Sequence, residues 1–171
     1  EINDNFYFPQ AWNPARWRWD NPIQWDRYER LMAEADGTLV SGPGLVELLS
    51  DKAAHKIHVL ENHYPFELNS FDDIWRKSSD EIVIGWAGSA GHMVDLLSVV
   101  PVMKELLKKY PQLKIHLMGD PTIPDFVKIS PDRLSFQSWN HVEKYLEFWR
   151  PIHLGLVPLL DTPFNRCRSD I

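Results

Sequence analysis

The sequence predicts an α/β fold in which parallel strands alternate with helices in two units, and three observations carry that prediction. The first is residues 82–87, Ile-Val-Ile-Gly-Trp-Ala, an apolar run with Asp80 and Glu81 before it and glycine after it. A strand covered on both sheet faces has this pattern. The second is the stretch that follows. Gly88-Ser89-Ala90-Gly91 is small enough for a sharp turn, 93–110 carries Val94, Leu97, Val100, Met103, Leu106 and Leu107 at helical spacing, and 114–118 reads as a second short strand closed by Gly119-Asp120. Two strands joined by a helix run parallel, with a right-handed crossover. The third is the order of elements along the chain: β-α-β, a break, then β-α-β-β-α-β, without tandem repeats or low-complexity tracts.

Residues 1–25 mix aromatics, Trp12, Trp17, Trp19 and Trp25 among them, with Asn-Pro at 13–14 and 21–22. The prolines forbid a continuous helix. This stretch, with Arg16 and Arg18, reads as a segment packed over a neighbouring core; the alternative is a surface that binds a ligand or a membrane. A helix follows over 23–35, capped by Asn21, with Pro22 in its first turn and Leu31 and Met32 on the buried side. Residues 37–41 read as a short strand. A helix begins near Pro43 after Ser41 or Gly42 and carries Leu45, Val46, Leu48 and Leu49, and 57–60 is a strand. Between 61 and 79 the period is lost among Pro65, Asn69, Ser70, Ser78 and Ser79, which reads as a linker with one helical turn at 71–75.

In the second unit Pro111 stops the helix over 93–110, and Lys108 and Lys109 suit its negative end. Pro121 and Pro124 predict a loop, 134–136 a short strand, and 141–149 a helix with Val142, Tyr145, Leu146 and Trp149 on one face. Pro151 ends it. Residues 152–157 read as a buried strand, 159–168 as a loop with Pro163, and Ser169-Asp170 as a helix start. The expected division is 1–62, a linker at 63–79, and 80–171.

The totals bound the function. A chain of 171 residues buries about 70% of its unfolded surface on folding. The net charge of −6 argues against a general nucleic-acid role, which would bring a basic surplus. Cys167 is the single cysteine, so no internal disulfide forms and a reducing compartment fits. No apolar run approaches the ~18 residues of a membrane span. The opening Glu-Ile-Asn-Asp-Asn does not read as a secretory signal, and a start without methionine is expected of an excised or processed piece.

In parallel sheets ligands sit beyond the carboxyl ends of the strands. Here those ends are Gly88-Ser89, Gly119-Asp120, Ser138-Trp139 and the loop at 159–168. A glycine turn from a buried strand into a helix aims backbone N–H groups at one point, and the helix dipole adds about 0.3–1 kcal/mol for an anion such as phosphate. Yet Gly85-x-x-Gly88-x-x-Gly91 is not the dinucleotide fingerprint. Taken alone the loop is either an anion cradle or simply a tight turn.

Four strings carry a resemblance: Ile84-Gly85-Trp86-Ala87-Gly88-Ser89; Arg133-Leu-Ser-Phe136; Gly155-Leu-Val-Pro-Leu159; and Asp161-Thr-Pro-Phe-Asn165-Arg-Cys-Arg-Ser-Asp-Ile171. Together they resemble group 1 glycosyltransferases (family 4, GT-B fold). Ala35-Asp36-Gly37 to Ser41 and Val59-Leu60-Glu61-Asn62 resemble the last strands of the acceptor lobe and the hinge that leaves it. The resemblance covers nearly the whole chain, and its most specific string is the last. It implies two Rossmann-like lobes, here 1–62 as the end of the acceptor lobe and 80–171 as a truncated nucleotide-sugar lobe.

The activity implied is a retaining, hexosyltransferase-type transfer from a nucleotide-sugar to a saccharide or lipid-linked acceptor, in polysaccharide or glycoconjugate synthesis. The nucleotide-sugar is a substrate, and no metal or other cofactor is expected. Carried over by position, Gly88 and Ser89 meet the donor phosphates, Gly119 and Asp120 line the donor crevice, and Ser138 and Trp139 lie near the base. Asn165, Arg166 and Arg168 face the diphosphate and sugar, the two arginines as the catalytic pair. A guanidinium and a helix N-terminus can stabilise a departing diphosphate without a metal. The same arginines read alternatively as a solvated surface pair, and Trp139 as core packing. His92 stands where relatives carry a basic pair, and is either a phosphate-side group or a polar residue at a helix start.

The chain stops before the glutamate that the family places in the next helix and starts after the first acceptor-lobe strands. The resemblance therefore implies the middle of a longer enzyme, inactive as it stands, whose full-length parent is cytoplasmic and peripheral to the inner face of the membrane. The rival readings are a non-catalytic α/β binding module and a sugar-nucleotide epimerase, the latter opposed by the string at 161–171. Elsewhere the signals are weak. His55 and His58 lack a third metal ligand nearby, Cys167 lacks a base in sequence, and Asp72-Asp73 and Asp80-Glu81 read as solvated surface.

Overall fold

The computed structural model describes residues 2–53, 56–63, 80–139 and 141–168. The expected helical turn at 71–75, most of the linker, Asp72-Asp73, His55 and the helix start at 169–170 lie outside the described residues. The chain divides into two compact units, one formed by Glu1–Leu68 with Asp161–Ile171 and the other by Asn69–Leu160. The expectation of an unbroken unit from 80 to 171 is corrected here. The end of the chain belongs to the first unit because that unit holds it: Asn5 Nδ2 donates to Pro163 O at 2.9 Å, and Cys167 packs in a core with Ile2, Met32, Val40, Leu45 and Leu49.

The first unit contains helix α1 (Arg16–Trp19), α2 (Pro22–Glu34), strand β1 (Thr38–Val40), α3 (Pro43–Ala53) and β2 (Ile57–Val59). The strands are parallel, with Thr38 opposite Ile57, and Ile2 bridges to Val40. Asn21 caps α2 by accepting from Ile23 N at 3.0 Å, with Pro22 in the first turn. Met32 is buried but Leu31 is 68% exposed, against the expectation that both face inward. The inward stripe is Trp25, Tyr28 and Met32 at three- and four-residue spacing; Leu31 lies about 100° away around the helix.

Residues 1–25 do pack, through rings rather than a periodic face. Phe6 stacks on Trp19 with centroids 4.2 Å apart, Tyr7 stacks on Trp25 at 4.3 Å, and Tyr28 meets Trp19 and Trp25 edge-on at 5.7 Å. Offset-stacked and edge-to-face pairs are the favoured aromatic geometries.

The second unit is the predicted alternation: β3 (Ile82–Ala87), a 3-10 turn Ala90–His92, α4 (Met93–Lys109), β4 (Leu113–Gly119), α5 (Ile123–Val127), β5 (Leu134–Ser138), α6 (Val142–Trp149) and β6 (Leu154–Gly155). The four strands are parallel in the order β5-β4-β3-β6. The winding reverses between β3 and β6, the position where ligands enter such sheets. Ile84, Trp86, Ile115 and Leu117 from the strands pack with Leu96, Val100, Met103 and Leu107 of α4. Among the expected helix positions Val94, Leu97 and Leu106 flank this buried stripe.

Two expectations are corrected. The loop predicted by Pro121 and Pro124 contains α5, because Pro124 sits in its first turn, where a missing N–H costs nothing. The buried strand expected over 152–157 shrinks to two residues at a sheet edge. Leu154 is 54% and Val157 77% exposed, and only Ile152 is fully inside. A Cβ on Gly85 would come within 2.2 Å of Ile152 Cδ1, so the glycine in β3 makes room for that side chain. Arg133 donates to the carbonyls of Leu107, Tyr110 and Leu113 at 2.8–3.2 Å; a guanidinium there suits the negative end of α4. Among the described residues no helix is long and apolar enough to cross a membrane.

Candidate functional site

The carboxyl ends of β3, β4 and β5 are drawn together by backbone. Gly88 N donates to Met118 O at 3.1 Å, and Trp139 N donates to Gly119 O at 3.1 Å. A side chain is excluded at both glycines: a Cβ on Gly119 would lie 2.4 Å from Gly88 O, and one on Gly88 would lie 2.4 Å from the Trp86 indole. The glycines are therefore required by close approach. Ser89 is exposed, and its carbonyl accepts from His92 N at 2.9 Å to open the turn into α4. Gly88, Ser89, His92, Gly119, Asp120, Ser138 and Trp139 thus all lie in one unit at the carboxyl ends of its strands.

His92 is more than a polar residue at a helix start. Its Nδ1 lies 2.8 Å from Asp95 Oδ2, with the imidazole 14% and the carboxylate 0% exposed. The other oxygen, Asp95 Oδ1, accepts from Leu160 N at 2.9 Å. One buried carboxylate thereby orients an imidazole and ties the chain after β6 to the first turn of α4. Because the carboxylate accepts, the proton belongs on Nδ1, and ring orientation and tautomer are set together.

The remaining members of the edge divide by exposure. Asp120 Oδ1 accepts from Thr122 N at 2.9 Å and Oγ1 at 2.5 Å, a local turn before α5. Those bonds hold its carboxyl below the usual carboxylate range. Ser138 is exposed at the end of β5. Trp139 is 61% exposed, its ring 5.7 Å from Tyr145. That exposure is inconsistent with core packing and leaves a ring face at the edge. A cavity of about 690 Å³ lies elsewhere in the unit, between α4 and the loop at 128–133.

Asn165, Arg166 and Arg168 belong to the first unit. Asn165 is buried and its Oδ1 accepts from Gln10 Nε2 at 3.2 Å. Arg166 grips Asp161 with two bonds of 2.6 and 2.8 Å, an exposed fork that holds the Asp161 carboxyl below its ordinary range. Arg168 donates to Asp4 at 2.6 Å. Both arginines are exposed and each is paired to an acid, as the reading of them as a solvated surface pair expects. Cys167 is buried, with its thiol pushed up by burial, and donates to Gly44 O at 3.5 Å; it lacks the setting of a nucleophile. Among the described residues no three His, Cys, Asp or Glu side chains are grouped to hold a metal.

The residue that sequence reasoning missed is Asp95. Its signal is His92-x-x-Asp95 across the start of a helix, the spacing at which side chains meet; an apolar-face reading of α4 passes over it.

No family model and no curated protein matches the chain. Among solved structures it is similar to a mutant O-GlcNAc transferase of Thermobaculum terrenum, at 15% identity and a TM-score of 0.42, over 71% of this chain and 26% of that one. The chain thus spans about a quarter of that protein's length. A likeness at this level carries no argument about function, which rests on the chain's own site.

Proposed function

We propose that the second unit is the donor-nucleotide site of a retaining glycosyltransferase. The supporting observation is the glycine turn at the strand-order reversal, with His92 oriented beside it by the buried Asp95. When a nucleoside diphosphate leaves a sugar, negative charge grows on the departing oxygen. The N-terminus of the 17-residue α4, with the oriented imidazole of His92 beside it, offsets that charge. Gly88 and Ser89 bring backbone to the phosphates, Gly119 and Asp120 line the crevice, and Ser138 and the exposed Trp139 serve the base. The roles of Asn165, Arg166 and Arg168 at the diphosphate, the saccharide or lipid-linked acceptor, the setting in polysaccharide or glycoconjugate synthesis, and the cytoplasmic face of a membrane come from the sequence resemblance alone.

Calorimetric titration with UDP, GDP, dTDP and their sugar conjugates tests the reading. One diphosphate is expected to bind, and His92→Ala to weaken it about tenfold or more, the scale of a hydrogen bond to a charged group. Arg168→Ala, run alongside, tests the role that the resemblance gives that arginine. Failure of a folded chain to bind any of these nucleotides overturns the donor reading and favours a non-catalytic α/β interaction module.

A further inference from the structure

The cavity of about 690 Å³ between α4 and the loop at 128–133 lies away from the glycine turn. Lys104 on its wall stands about 16 Å along α4 from the first residue of that helix. The volume is in the ~300–1,000 Å³ range of small-molecule sites, which are mostly apolar with a few placed polar groups. The apolar wall is made by Val100, Pro101, Leu107 and Ile129. Helical spacing puts Val100, Lys104 and Leu107 on one stripe of α4, so an apolar surface and a cation face the cavity together.

The charged groups of the wall divide into engaged and open ones. Lys108 is paired with Glu105 at 2.7 Å. Arg133 is committed to the carbonyls at the end of α4, and Ser130 Oγ donates to Asp132. Lys104, half-buried, and Lys128, exposed, line the same cavity, and neither ammonium is bonded among the described residues. Lys128 ends α5 in the left-handed conformation, with φ 49° and ψ 52°. Glycine is the usual residue at such a helix end, because a Cβ is strained there. A lysine held in that conformation brings a cation to the cavity where glycine would bring none, in a chain whose net charge is −6.

These walls narrow the ligand class. An ammonium donates and does not accept, and Glu105 and the carbonyls at the helix end already hold partners. The open contacts therefore suit a head made of acceptors alone, a carboxylate or a phosphate. A saccharide would bring hydroxyl protons to few open acceptors. Inorganic phosphate would leave the apolar wall bare, whereas an alkyl chain removes that wall from water. We propose that this cavity binds a single-chain anionic amphiphile, its chain on Val100, Leu107 and Ile129 and its head on Lys104 and Lys128. The inference stands on this cavity and does not rest on the transferase reading.

The test is a titration of the 15N-labelled chain, followed at the backbone amides of Lys104, Lys128 and Ile129. The probes are decanoate and decyl phosphate, both below micelle-forming concentration. Octyl glucoside is the neutral control, inorganic phosphate the chain-free one, and anionic phospholipid vesicles the bilayer one. The expected result is saturable movement of these amides with at least one of the two anions, the better of them naming the head. Octyl glucoside should bind about tenfold more weakly or not at all, and added salt should weaken the anion. Lys104→Gln should weaken binding about fivefold. Lys128→Gly removes the second cation, suits the left-handed backbone and should weaken binding as much without loss of stability. Absence of movement with both anions, equal affinity for octyl glucoside, movement with inorganic phosphate alone, response to vesicles alone, or binding unchanged in the double variant overturns the proposal. Diphosphate binding read at the Gly88 and Ser89 amides is a separate signal, so failure here and failure of the donor reading are distinguishable.

Discussion

The two units are held by different kinds of packing. The second is a parallel sheet whose aliphatic strands meet the aliphatic stripe of α4. The first pairs β1 with β2, with Ile2 bridging to Val40, and fills the space with stacked rings from the irregular stretch at 1–25 and from α2. An aliphatic core is repetitive, so its period shows in the sequence. A ring cluster drawn largely from an irregular stretch is built from singular contacts, so outside Trp25 and Tyr28 of α2 it has no period to read.

The strongest way to break this comparison is to cut the aliphatic core. Leu117→Ala removes a fully buried side chain from β4 and should cost about 2–5 kcal/mol, because a core packed around a sheet closes poorly on a cavity. Denaturant unfolding measures it; a cost below about 1 kcal/mol would mean that the sheet relaxes freely around the lost side chain. Next is Asp95→Ala, which strips the acceptor from both His92 and Leu160 N and should cost about 3 kcal/mol, as removing one partner of a buried polar pair does. Asp95→Asn keeps an acceptor and should cost less while still weakening diphosphate binding. If the two variants unfold alike and bind alike, Asp95 does not orient the imidazole.

The ring cluster should respond more gently. Trp25→Leu keeps bulk but removes the stack on Tyr7 and the bond from Nε1 to Trp19 O at 2.6 Å, with an expected cost of about 1–2 kcal/mol. Unfolding followed by near-ultraviolet dichroism reads it directly. The smallest effect is one of pH. Burial pushes the Tyr28 phenol up to about 12, and burial together with Glu29 pushes Tyr7 up as well. The folded state therefore keeps protons that the unfolded chain releases near pH 10. Stability from these phenols is fully present below pH 10 and is lost as pH rises toward 12. An alkaline titration of tyrosinate absorbance should show at least one tyrosine ionising late in the folded chain and normally in denaturant; ordinary titration of all five tyrosines would remove this distinction between the units.

Much of the second unit was legible because each local signal agreed with its neighbours. The apolar run of β3, the glycines after it and the spacing along α4 all demand a strand, a turn and a helix in that order. Even there, the exposed edge position of β6 was not readable from Ile152 to Val157, since burial depends on which strand becomes the sheet edge. Asp95 was equally hidden: an acid in a helix first turn is usual, and only the arrival of Leu160 makes it a buried junction.

Backbone propensity and period, which act over a few residues, were enough to set the element order, the parallel pairing and the glycine turn at the ligand-binding edge. The return of residues 161–168 to the first unit and the union of Gln10 with Asn165 depend on partners up to 164 positions apart. Such contacts form when loop-closure entropy is offset by burial of both partners, and that balance is struck in three dimensions.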